Sequence, residues 1–128
     1  MNFETEFNTW LTNSLAENVP SSVQAFSFNL FEPGPKDGVK FGIELIGADR
    51  FDKNDEDWAC EEIWSPAQRQ LFIPNEYSED NWEECLKKLK ALLIIYLETN
   101  SAGAARLKSV KGVGIGFVDG NLDLVLQP

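Results

Sequence analysis

The chain contains no histidine, and the side chain that most often acts as a general base near neutral pH and most often ligates transition metals is therefore missing. Enzymes can work without it, and paired carboxylates, plentiful over residues 52–62, could in principle serve as acid and base. Cysteine is almost as scarce. Cys60 and Cys85 have neither the CxxC spacing of a redox pair nor the number of a disulfide scaffold, so both are expected as free, buried thiols. No apolar run approaches the roughly 20 residues needed to cross a bilayer. No lysine or arginine precedes Lys36, so the start lacks the charged region of a secretory signal, and a cytoplasmic location is expected. Low-complexity tracts and internal repeats are also missing. The length of 128 residues and an ordinary apolar fraction of 43% predict one domain over residues 1–128, burying about two-thirds of the surface of the unfolded chain.

Positive charge is the remaining shortage. Eleven lysines and arginines oppose 21 aspartates and glutamates, for a net charge of −10. The imbalance is local: residues 49–86 hold twelve of the acids against Arg50, Lys53 and Arg69 alone, whereas the chain after residue 86 is net basic. A concentrated field of this kind bears on partners and association rates rather than on fold, and it points to a basic partner.

Phe3, Phe7, Trp10, Leu11 and Leu15 fall on one helical stripe, and the helix should end near Val19 and Pro20. Residues 23–31 then alternate, with Phe26, Phe28 and Leu30 on one side of a strand and Ala25, Ser27 and Asn29 on the other. Pro33, Gly34, Pro35, Asp37 and Gly38 break the chain before Val39, Phe41, Ile43 and Leu45 resume the alternation, which reads as a hairpin. Two shorter strands are expected at residues 58–64 and 70–73. Ser78 is the expected N-cap of a long helix whose apolar stripe runs from Trp82 through Leu89 and Leu93 to Leu97. Asp119-Gly120 predicts a two-residue turn pairing Val118 with Asn121, Phe117 with Leu122, Ile115 with Leu124 and Val113 with Leu126. On the reverse face Gly112, Gly114 and Gly116 leave a track that a helix, an aromatic side chain or a second backbone could approach. Together these elements predict an α+β fold: an antiparallel sheet of about five or six strands with two main helices packed on one face.

The candidate chemistry is thin. An EF-hand alignment beginning at Asp52 fails, because Asp57 occupies the glycine position and Ile63 the bidentate glutamate position. Asp52, Asp55 and Asp57 could form only an irregular ion site, and a solvated acidic face is the better account of the run. GxGxG at residues 112–116 leads into a turn rather than a helix, so it does not read as a phosphate loop. Nucleic acid would be repelled by the charge. No cofactor or metal is expected. Trp82 belongs by its spacing to the core, whereas Trp58 follows three acids directly and is open to placement at the surface, where tryptophan is often a binding hot spot.

Phe51-Asp52 with Asp55-Glu56-Asp57-Trp58-Ala59-Cys60, and Gly114-Ile115-Gly116-Phe117-Val118-Asp119-Gly120, resemble segments of bacterial polymorphic-toxin immunity proteins. The resemblance implies a non-enzymatic bacterial protein that binds and neutralises a basic toxin domain. The binding surface expected from the charge pattern comprises Asp52, Asp55, Glu56, Asp57, Trp58, Glu61, Glu62, Glu79, Asp80, Glu83 and Glu84. Reversal of Asp55, Glu56 and Asp57 to lysine is the substitution this surface calls for. The alternatives are an acidic type III-like secretion chaperone that binds an effector segment, and a hydrolase that uses paired carboxylates.

Overall fold

The computed structural model describes residues 2–34, 38–79, 81–118 and 120–126. Asn2 opens the first helix, α1 (Phe3–Leu15), by accepting a hydrogen bond from the Thr5 N–H at 2.9 Å, and Glu4 and Glu6 lie in its first turn at the positive end of the helix dipole. The aromatic stripe is buried as its spacing predicts. The chain continues through β1 (Ala25–Phe31) and β2 (Val39–Ala48), which pair antiparallel.

Beyond β2 the structure departs from the expected strand at residues 58–64. Asp55 caps a 3-10 turn at Glu56–Cys60 by accepting from the Asp57 N–H, and only β3 (Glu62–Trp64) is extended. β4 (Gln70–Pro74) lies where a strand was expected and pairs with β2. A single helical turn, α2 (Asn75–Ser78), follows. Ser78 therefore ends one helix instead of capping the next. Glu79 takes a left-handed conformation with φ 60°, and Asn81, which caps as well as serine, accepts from the N–H groups of Glu83 and Glu84 to start α3 (Trp82–Leu97). Lys88 braces the strained Glu79 by reaching both its carboxylate and the Tyr77 carbonyl.

A further helix, α4 (Ala102–Lys108), is capped by Ser101. Gly103 lets it approach α3, since a Cβ there would lie 2.1 Å from the Tyr96 hydroxyl. The last strands are β5 (Gly112–Phe117) and β6 (Asp123–Leu126).

The fold is α+β, but the sheet is mixed. β5 runs parallel to β1 from Ala25 opposite Gly112 to Leu30 opposite Phe117, while the other pairs are antiparallel. Helices α3 and α4 form the crossover that a parallel pair requires, and they deliver the chain to the free edge of β1. α1, α3 and α4 all pack on one face of the sheet, against Phe26, Phe28, Leu30, Ile43, Leu45, Val113 and Ile115, so three helices stand where two were expected. Among the described residues, no helix is long and apolar enough to cross a membrane.

The closing hairpin is shifted from the expected register. Val113 opposes Leu126 as predicted, but a bulge follows, after which Gly114 opposes Leu124 and Ile115 opposes Asp123. A Gly120 N–H to Phe117 carbonyl bond of 3.0 Å places the turn one residue early; Asp119 itself lies outside the described residues. One residue of slip exchanges the two faces of a strand. Leu122 consequently lies over Gly114, where a Cβ would meet it at 2.9 Å, while Phe51 fills the space over Gly112. The glycine track is thus filled by an aromatic ring and a leucine. With Trp58, Ile46 and Ala48, these residues make a second, smaller core on the face opposite the helices.

Candidate functional site

The structure divides the expected acidic surface into paired and unpaired carboxylates. Arg50 holds Asp55 at 3.0 Å and reaches Glu61 at 3.9 Å. Arg69 bridges Glu62 and Glu44, and Glu44 in turn accepts from Asn29, whose own oxygen takes the Ser27 hydroxyl. This polar chain crosses the outer face of the sheet. Hydrogen bonding to Glu62, with a smaller contribution from Glu44, holds the Arg69 guanidinium above its usual range although burial acts the other way. Glu79 pairs with Lys88 at 2.9 Å.

Glu56 has a structural task. Its carboxylate accepts the Leu122 N–H at 3.0 Å and ties the 3-10 turn to the hairpin loop across 66 positions of sequence. Asp55 likewise caps that turn. Lysine at either position would disturb the scaffold as well as the charge. Among the described residues, Asp52, Asp57, Glu83 and Glu84 have no ion-pair partner; the first three are exposed and Glu84 is half-buried. Asp80 lies outside the described residues. Also among the described residues, no group of three or more histidine, cysteine, aspartate or glutamate side chains converges as metal ligands would. The Asp52 carboxylate instead accepts the Asn54 N–H.

Trp82, expected in the core, is exposed, and Trp58, which the sequence left open between core and surface, is buried. Trp58 is 1% exposed and packs beside Phe51 in the second core, so it cannot touch a partner directly. Trp82, the first residue of α3, is 56% exposed. It stands edge-on to Phe117, with ring centroids 6.0 Å apart and planes at 89°. Val118, at the hairpin turn, is 65% exposed.

Acids distant in sequence meet around this hairpin. A cleft of about 300 Å³ is lined by Glu56, Asp57, Cys60, Phe117, Val118 and Leu122 among others. A second, of about 310 Å³, lies between Glu32, Trp82, Phe117 and Gly120. Phe117 and Gly120 belong to both, so residues 56–57 and the first turn of α3 flank one end of the molecule. Phe31, Glu32, Phe117 and Val118 were not expected at a binding surface. The expected register set Phe117 opposite Leu122 and Val118 opposite Asn121 at the turn, and neither position carried a binding signal.

The chain matches no protein-family model, no curated protein and no solved structure.

Both cysteines are free as expected, but only Cys85 is buried. Burial pushes its thiol up to about 12, whereas Cys60 is exposed at the mouth of the first cleft. Only a thiolate attacks a disulfide reagent. With dithionitrobenzoate, the native protein should therefore release one equivalent of chromophore quickly and a second only after unfolding. Two fast equivalents, or none, would contradict the placement of these side chains.

Proposed function

We propose that this protein is a non-enzymatic inhibitor of the immunity type, which binds a basic protein, such as a toxin domain, through its acidic surface. The supporting observation is that Asp52, Asp57 and Glu83 remain exposed without an ion-pair partner among the described residues, while Arg50 and Arg69 are occupied by other carboxylates. Exposed like charges that are not neutralised locally raise the rate at which an oppositely charged macromolecule arrives.

The test is co-expression with the product of an adjacent gene that encodes a basic domain, followed by gel filtration. The two should migrate as one complex. In that complex, reversal of Asp52, Asp57 and Glu83 to lysine should lower the association rate about tenfold or more, with a much smaller change in dissociation. These positions replace Asp55 and Glu56, whose carboxylates hold the fold. An association rate unchanged by the triple reversal would reject the surface.

Exposed Ile94 and Ile95 on α3 favour one other reading, a dimeric secretion chaperone, because a second apolar surface could serve subunit contact. Light scattering separates the two: the inhibitor is expected as a monomer in the absence of its partner.

A further inference from the structure

Rim carboxylates act mainly on encounter, so a tight complex needs an anchor that becomes desolvated, most often an aromatic or arginine contact. Trp82 has the properties of one. Its ring is more than half exposed yet not loose, because it leans on Phe117, and Phe117 stands edge-on to the buried Phe41 with centroids 5.4 Å apart. The line of rings runs from the core to the surface. A side chain positioned in this way loses little freedom on binding.

Val118 extends the apolar area. Phe117 lines three neighbouring clefts of about 300 to 310 Å³, the third lying between Phe31, Glu32 and Val118. These volumes sit at the lower end of the range of about 300–1,000 Å³ for small-molecule sites, and they suit single protruding side chains.

The charge around this cap is negative. Glu32, Glu56 and Asp57 border these three clefts, and on the other side of Trp82 a fourth depression is lined by Glu83 and Asp123 with Lys87 and Lys90, where Lys90 is already paired with Asp123 at 3.5 Å. Resting on the basic-partner reading above, we propose that the cap of Trp82, Phe117 and Val118 receives an arginine-bearing segment of that partner, with the guanidinium seated on the Trp82 ring and its N–H groups directed to the neighbouring carboxylates.

Arginine fits better than lysine. Its planar cation is weakly hydrated, stacks on aromatic faces and presents a fork of donors to carboxylates. A second copy of the chain fits poorly, since a two-fold contact through this patch would press the same carboxylates against themselves. An uncharged apolar segment would strip water from those carboxylates without supplying a counter-charge.

The test uses the full-length ¹⁵N-labelled protein and two probe peptides, acetyl-Arg-Leu-Arg-Leu-amide and its lysine counterpart, titrated at low and at physiological ionic strength. Shifts should concentrate at the Trp82 indole N–H and at the backbone of Phe117, Val118 and Gly120. The arginine peptide should bind about three- to tenfold more tightly than the lysine peptide. Trp82→Ala should abolish that preference, and Val118→Ser should weaken both peptides, with the remaining spectrum of each variant reporting an intact fold. Salt-sensitive shifts spread over other acids, with no arginine preference and no effect of Trp82→Ala, would overturn this site while leaving the basic-partner reading standing. No salt-sensitive binding of either peptide would overturn both. Concentration-dependent shifts at these residues without peptide would overturn the proposal in favour of self-association.

Discussion

Trp58→Ala is expected to lower the free energy of unfolding by about 3–5 kcal/mol, the range for truncating a large buried aromatic residue. Trp82→Ala is expected to lower it by about 1 kcal/mol or less, since it gives up one edge contact with Phe117 and little buried area. The contrast follows from exposures of 1% and 56%. Trp58 closes the second core with Ala25, Ile46 and Ala48 and is packed by the Phe51 ring at 5.3 Å, so its loss leaves a cavity under the whole 3-10 turn. The acids that follow Asp52 would then lose the platform that holds them. Urea unfolding of both variants measures the difference, with the midpoint compared at constant slope. Equal losses, or a larger loss for Trp82, would mean that the two side chains have been assigned to the wrong environments.

Gly116→Ala is expected to cost about 3 kcal/mol, towards the upper end of what overpacking brings. A Cβ at this position would lie 2.3 Å from the Asn121 carbonyl oxygen and 3.1 Å from the Leu122 Cα, which are main-chain atoms that cannot rotate away. The hairpin loop must move as a unit, and with it the Leu122 N–H that Glu56 accepts. Gly47→Ala is the comparison. There the new methyl would meet Val23 and Trp64 side chains at 3.1 to 3.2 Å, so a few tenths of an ångström of adjustment suffices and a loss of about 1 kcal/mol is expected. Thermal or urea unfolding of the pair tests the shifted register directly. In the register predicted from sequence, Gly116 would not face the Asn121 main chain, and the two substitutions would cost about the same.

Much of the fold was legible in residue spacing. The α1 stripe, the alternation of β1 and β2, the stripe of α3 from Cys85 onward and the existence of the last hairpin follow from periods of 3.6 and 2. What escaped sequence reading has particular causes. The parallel pairing of β1 with β5 depends on where α4 releases the chain, and α4 carries so many small residues that Leu107 alone marks its buried side among bulky residues. The hairpin slipped because Glu56 and the space above Gly114 draw Leu122 to the outer face, a long-range preference that overrides the local turn signal. Helix α3 begins at Trp82 with Asn81 as its cap, because Ser78 is buried at the end of α2.

The candidate site was legible as charge but not as geometry. Composition located the acids, and yet it could not distinguish Asp57, without an ion pair among the described residues, from Asp55 and Glu62, which are engaged by arginines. Nor could it exchange Trp58 for Trp82. Telling them apart required knowing that the 3-10 turn buries its tryptophan in the second core while Trp82, at the start of α3, stands exposed beside Phe117.

Our central proposal is that Asp52, Asp57 and Glu83, which have no ion-pair partner among the described residues, attract a basic macromolecule. Its test is stopped-flow association with a basic partner isolated by the co-expression described above, measured across a series of salt concentrations. The account predicts an association rate that falls steeply as salt rises, a dissociation rate that barely changes, and a loss of the salt dependence when Asp52, Asp57 and Glu83 are reversed to lysine. An association rate independent of salt and of those three substitutions would contradict it.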